Sequence, residues 1–190
     1  GLSLVGIDCD LGEASVQIAS DSYSIGELAT RRLFDDGCSR ILCLRSNSRM
    51  RMPANKRTDA YLDVVEQAGL SALVREVEFV KPDDEKSAVV AKILDENPDI
   101  DGIFAGDDTM AAICLNVMKQ RGLSAPDDIK VVGADGARRT MTFMPDLTTV
   151  RQDIDRIGEL AAQSIIALIN GEKPESNIKL PVELIEGKTA

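Results

Sequence analysis

An open α/β fold, in which a mostly parallel sheet carries helices on both faces, is predicted by three features of this sequence. Short apolar runs alternate with amphipathic helical runs along its 190 residues, the pattern of strand–helix units whose crossovers bring strands parallel. Glycines stand where the helical patterns stop, at Gly37, Gly69 and Gly122, as left-handed helix ends require. Hydrophobic residues make up 44% of the chain, enough to fill a buried interior and too many for a disordered segment.

The elements follow in order. Leu2 to Ile7 and Val16 to Ala19 read as strands. Ser24 to Asp36 reads as a helix, with Ile25, Leu28, Ala29, Leu33 and Phe34 on one face. Ile41 to Leu44 is a strand, Asn55 to Ala68 a helix, and Val74 to Val80 an alternating, half-covered strand. Glu85 to Glu96 is helical, with Val89, Val90, Ile93 and Leu94 inward. The strand Ile103 to Ala105 leads into the helix Thr109 to Arg121, and Ile129 to Val132 is the next strand. Leu147 to Val150 is extended and Asp153 to Asn170 is helical. Ile178 to Ile185 is a final strand, and Pro181 within it indicates an edge or a bulge.

Composition removes several function classes. Thirty-two acids against 22 bases give a net charge of -10, which opposes binding to phosphate backbones. The six aromatic residues and the absence of Trp leave no stacking platform for single strands. No apolar run reaches the ~18 residues of a membrane span, and the first residues lack the basic and apolar regions of a signal peptide. Cys9, Cys38, Cys43 and Cys114 form no CxxC pair, and there is no histidine to complete a zinc site or activate a nucleophile. Buried thiols in a reducing cytosol are the expectation, with no metal, no cofactor and no catalytic residue.

Sheets of this kind bind ligands beyond the carboxyl ends of their strands. Three loops lie there: Arg45 to Arg57, Gly106 to Asp108, and Asp135 to Arg139. Asp108, directly before a helical run, is expected to be the helix cap. Asp107 is then free to project into the crevice, or is simply a solvated loop acid. Asp135 is either a turn residue or a ligand contact, and Arg57 either a surface arginine or a ligand contact. Together an arginine fork and two carboxylates suit a neutral, polyhydroxylated ligand. Arg45, Arg49 and Arg51 form a basic loop that is either solvated or favours an acidic, phosphorylated effector. The acids lack the lysine partner of a magnesium-binding receiver site, and no GxGxxG follows a strand.

Several stretches together resemble the effector-binding core of the lactose/galactose repressor family of transcription regulators. They are Asp21-Ser22-Tyr23-Ser24-Ile25-Gly26, the run Pro98 to Ala111, the run Gly122 to Asp135, Pro145 to Asp153, and Leu180 to Ile185. The likeness runs through nearly the whole chain in the same order. It implies a type I periplasmic-binding-protein-like fold of two lobes, with a small sugar or sugar-like effector between them. It further implies a cytoplasmic homodimer whose operator is gripped by an N-terminal helix-turn-helix domain with no counterpart in this chain.

By position, Arg57, Asp107 and Asp135 match the family's ligand residues. Asp21 and Ile154 match positions lining the crevice on the crossover side, and Arg51 matches a less constant ligand position. Residues 22–150 plus 177–190 correspond to a nearly complete C-terminal lobe, and 1–21 plus 151–176 to a partial N-terminal one. Pro82 stands where many members place a stacking aromatic, which argues against a typical hexose, and Asp107 replaces the commoner amide. A periplasmic sugar-binding protein of a transport system is the alternative, and an enzyme a third class.

Overall fold

Period-two burial divides the central strands between two apolar layers. In the computed structural model, which describes residues 4–9, 16–47, 55–78 and 80–190, Ile41, Cys43, Phe104, Val132 and Ala134 join one core cluster. Their chain neighbours Leu42, Leu44, Ile103, Ala105 and Val131 join the other. Both faces of these strands are therefore buried, as a parallel sheet covered by helices requires.

Nine strands and six helices are present among the described residues. Strands β1 (Val5–Ile7) and β2 (Val16–Ser20) precede helix α1 (Ser22–Asp35). Then come β3 (Ile41–Asn47), α2 (Asn55–Gln67), β4 (Leu73–Glu78), α3 (Asp83–Glu96), β5 (Gly102–Ala105), α4 (Asp108–Gln120) and β6 (Lys130–Asp135). The chain ends with α5 (Arg138–Phe143), β7 (Thr148–Gln152), α6 (Ile154–Ile169), β8 (Asn177–Leu180) and β9 (Val182–Ile185). Six strands form a sheet in the order β4-β3-β5-β6-β7-β9, parallel except for β9, and β1-β2-β8 form a second, parallel sheet. In the larger sheet Ile25, Ala29 and Leu33 of α1 and Tyr61 and Val65 of α2 cover one face, while α3 and α4 cover the other. Val16 and Ile18 of the smaller sheet pack against Ile157 of α6.

Two expectations are corrected here. The final strand is two strands: Pro181 separates β8, paired with β2, from β9, paired with β7. Proline has no N–H to donate to a ladder, and the chain leaves one sheet for the other at that residue. Residues 177–180 therefore lie in the smaller sheet, not with the larger one, and β7 keeps the larger sheet continuous as far as Gln152. The short helix α5, which begins inside the expected loop Asp135 to Arg139, is the second; none of its residues is buried, so no apolar periodicity betrays it.

One buried hydroxyl ties the sheet to its cover. Tyr61 Oη donates to the Ile41 carbonyl at 2.8 Å and accepts from the Leu73 N–H at 2.7 Å, joining the starts of β3 and β4. Burial pushes its pKa up to about 12, so it stays a donor at any physiological pH. Tyr61→Phe leaves the Leu73 N–H buried without this partner. A loss of about 1–3 kcal/mol is expected, read as a lower urea midpoint at unchanged slope; an unshifted midpoint would contradict the assigned role.

Candidate functional site

Strand order reverses direction between β3 and β5, so the loops beyond their carboxyl ends diverge and leave a crevice. Ser46 near the end of β3, Gly106 and Asp107 after β5, and Asp135 at the end of β6 all stand at this edge. Arg57, in the first turn of α2, is only 9% exposed. Its Nη1 donates to the Gly106 carbonyl at 2.5 Å, and its Nη2 donates to Asp135 Oδ1 at 2.9 Å. Its Nε is buried and meets no acceptor among the described residues. One guanidinium thus fastens the ends of two neighbouring strands.

The capping role expected of Asp108 falls to its neighbour. Asp107, not Asp108, is the helix cap: its backbone is extended (φ -152, ψ 165) and its Oδ1 accepts from the Met110 N–H at 2.8 Å. That reach, from the cap to the third helical residue, needs the non-helical dihedrals that only Asp107 has. Its Oδ2 accepts from the Ser46 hydroxyl at 3.2 Å. Asp108 is already the first helical residue and its side chain leaves the helix sideways, to a site only 3% exposed. There Oδ1 accepts from Thr149 Oγ1 at 2.6 Å and Oδ2 from the Gly136 N–H at 2.8 Å. Asp108 clamps α4 to the turn after β6 and to the start of β7.

Burial raises the Asp108 pKa to about 6, with Asp135 and Asp107 adding to the rise and the bonds from Thr149 and Gly136 restraining it. An acid raised from 3.8 to about 6 on folding stabilises fully below the unfolded value, and that stability is lost as pH rises through the folded one. At about 1.4 kcal/mol per pKa unit the swing is on the order of 3 kcal/mol. We expect the stability gap between wild type and Asp108→Asn to shift in favour of wild type as pH falls from 7 to 4. Denaturant titrations of both at several pH values check this; a constant gap would refute it.

Asp135 adopts φ 105, a conformation unfavourable for any residue with a side chain. Strain of this kind persists where surrounding bonds over-determine it. Here Asp135 Oδ1 is held by Arg57 and by Gln152 Nε2 at 2.6 Å. Burial raises its pKa, Asp107 adds to the rise, and Arg57 and Gln152 hold it back. Gln152 and Ser46 were not singled out in the sequence. The available signal was position, since both lie at the carboxyl edge beside a predicted ligand loop.

The other expected residues stand apart from this cluster. Asp21 caps α1 by accepting from the Ser24 N–H at 3.2 Å, and pairs with Lys179 Nζ at 2.8 Å. Burial opposes its ionisation, but those partners prevail and hold its pKa below the usual carboxylate value. It therefore sits where β2 hands over to α1 and β8 runs alongside. Ile154 opens α6 and is 50% exposed, two residues beyond Gln152. Arg51 and Arg49 lie outside the described residues. Arg45 is turned onto Glu76 of β4, which neutralises it. Cys38, Cys43 and Cys114 are buried and unpaired, with pKa values pushed up by burial to about 11, 12 and 12, so none is a ready nucleophile.

Residues 30–190 match the family model described as a periplasmic binding protein-like domain. The chain belongs to this family. The periplasmic binding protein-like chain is 31% identical over its full length to the sucrose operon repressor of Pediococcus pentosaceus, of which it covers 59%. It is 30% identical over 99% of its length to the ribose operon repressor of Halalkalibacterium halodurans, covering 56% of that protein. Its fold superposes on a LacI family transcriptional regulator from Arthrobacter sp. FB24 in complex with lactose, with a TM-score of 0.85 and 25% identity. That match covers 99% of this chain and 70% of the other. The resemblance to the lactose/galactose repressor family therefore holds, and these relatives are transcription regulators rather than enzymes. The chain spans somewhat more than half the length of the two repressors. No helix among the described residues is long and apolar enough to cross a membrane.

Proposed function

We propose that this chain is the effector-sensing part of a cytoplasmic transcriptional repressor, with a sugar or related metabolite as effector. The observation that carries the reading is the Arg57 fork between Gly106 and Asp135, at the switch point of a periplasmic binding protein-like sheet. Arg57, Asp107 and Asp135 hold the ligand, with Asp21, Arg51 and Ile154 contributing from the crossover side. The named effectors and operons of its relatives support a saccharide.

The backbone crosses between the two sheets at three places, after Ser20, after Gln152 and at Pro181. A ligand spanning the crevice favours one relative orientation of the two sheets by binding it more tightly. In a homodimer that orientation sets the spacing of operator-binding domains. With a net charge of -10, these residues read the effector and leave the DNA to others. Titration calorimetry of the full-length protein with a panel of mono- and disaccharides, paired with operator-binding assays, tests the reading. One saccharide should bind and alter operator affinity; absence of both effects across the panel would overturn it.

A further inference from the structure

The three crossings between the sheets lie side by side. Leu180, the last residue of β8, pairs with Ser20 of β2, and its carbonyl accepts from the Asp21 N–H at 2.8 Å. One residue beyond Pro181, Val182 of β9 pairs with Gln152, the last residue of β7. Residues 20–21, 180–182 and 152 therefore form one lateral seam. Pro181, which has no N–H to give a ladder, stands at its middle. Asp153, next after Gln152, caps α6 by accepting from the Arg156 N–H at 3.0 Å. The direction in which α6 and the smaller sheet leave the larger one is set at this seam.

The Arg57 cluster reaches the seam through Gln152. The Gln152 Nε2 donates at 2.6 Å to Asp135 Oδ1, the same oxygen that accepts from Arg57 Nη2 at 2.9 Å. Arg57 has a second anchor at the Gly106 carbonyl, whereas the Gln152 side chain makes this one bond among the described residues. A hydrogen bond to an ionised carboxylate is stronger than a neutral one, and this one joins residue 135, at φ 105, to the crossing strand. A second bridge over the crossing, Arg138 to Asp155, joins side chains that are 88% and 79% exposed, and pairs so solvated contribute little. One carboxylate oxygen is thus shared between the larger sheet and the seam. A ligand that engages Asp135 alters both.

We propose that Gln152 is the positioning residue that transmits effector binding from Asp135 to the seam, and so to the relative orientation of the two sheets. Effector bound at Asp135 redirects its carboxylate, and the Gln152 amide follows or lets go. Those two arrangements of the seam are the states between which the ligand selects. Gln152 acts through Asp135 and need not touch the effector. This rests on the effector-site reading above.

Gln152→Met keeps the length of the side chain and removes its N–H donors. Titration calorimetry of the full-length protein with sucrose, d-ribose and lactose, with and without operator DNA, tests the proposal. Coupling is reciprocal, so a saccharide that binds wild type should do so with affinities differing about fivefold or more between the operator-bound and free protein. In Gln152→Met its affinity for the free protein should stay within about threefold of wild type, while the two affinities converge to within about twofold. A residue that merely braced the fold or held the ligand would lower Tm or affinity and leave the ratio unchanged. Gln152→Glu, of similar shape but setting a second carboxylate against Asp135, should uncouple in the same way. A wild-type ratio in a folded variant, an affinity loss beyond about tenfold, or failure of both variants to fold would overturn the inference and leave the effector-site reading standing. Absence of binding, or of any operator effect in wild type, across these saccharides and the wider panel would overturn both.

Discussion

Gly26→Ala is expected to destabilise the protein by about 2–3 kcal/mol and to weaken effector binding with it. Gly26 lies on the buried face of α1, and a Cβ there would fall onto the Arg57 carbonyl oxygen and within 2.7 Å of its carbonyl carbon. The obstacle is backbone, so no rotamer change relieves it and α2 must move. Overpacking of this kind costs about 1–3 kcal/mol or somewhat more, well above the roughly 0.5–1 kcal/mol that alanine otherwise gains over glycine inside a helix. For a chain of this size each kcal/mol lowers Tm by about 2–4 °C. The same displacement carries the Arg57 guanidinium away from Gly106 and Asp135, whose bonds at 2.5 and 2.9 Å tolerate only tenths of an ångström. Gly158 in α6 provides the contrast. Nothing lies within 4 Å of the Cβ it would gain, so Gly158→Ala should stabilise by about 0.5–1 kcal/mol. Thermal melts of the two variants should move in opposite directions; a neutral Gly26→Ala would disprove the close approach of the helices.

Arg57→Ala should lose at least 100-fold in effector affinity, since truncating one partner of a buried charge pair costs about 2–5 kcal/mol at a binding site. Stability should fall too, because Asp135 and the Gly106 carbonyl lose their donor. Removing one member of a fully buried pair costs about 3–5 kcal/mol, and the Asp135 side chain is 32% exposed, so about 2 kcal/mol is the expectation. The pH dependence identifies the cause. Burial already raises the Asp135 pKa and Arg57 restrains it; without Arg57 it rises further. A raised acid favours folding at low pH and loses that favour as pH climbs through its folded pKa. The deficit of Arg57→Ala should therefore shrink on acidification. In Arg57→Ala/Asp135→Asn the stranded charge is gone, and the loss should be smaller than the sum of the single losses. An additive, pH-independent double variant would show that the ion pair does not anchor the site.

Much of this was readable from the chain because it depends on local order. Strand–helix alternation and the stopping glycines are local signals, and Gly37, Gly69 and Gly122 do adopt positive φ. That Arg57 and Asp135 stand at one edge was legible because the carboxyl edge of a parallel sheet is a consequence of topology. That Asp107 rather than Asp108 caps could not be read: both stand at the helix start, and one residue's backbone dihedrals decide which carboxylate faces the open N–H groups and which is driven into the core. Gln152 and Ser46 acquire roles only because β7 lies beside β6 and β3 beside β5. The division of the last strand at Pro181 depends on which sheet each half meets.

The sequence by itself determined the parallel α/β class, the net negative charge, and which loops stand beyond the carboxyl ends of the strands. These follow from hydrophobic period, net charge and chain order, which need no partner to be defined. Tertiary structure alone decided which aspartate caps and which is buried, what the Arg57 fork grips, and why Gly26 admits no side chain. Each of those is a distance between atoms far apart in the chain, set when helices and strands pack.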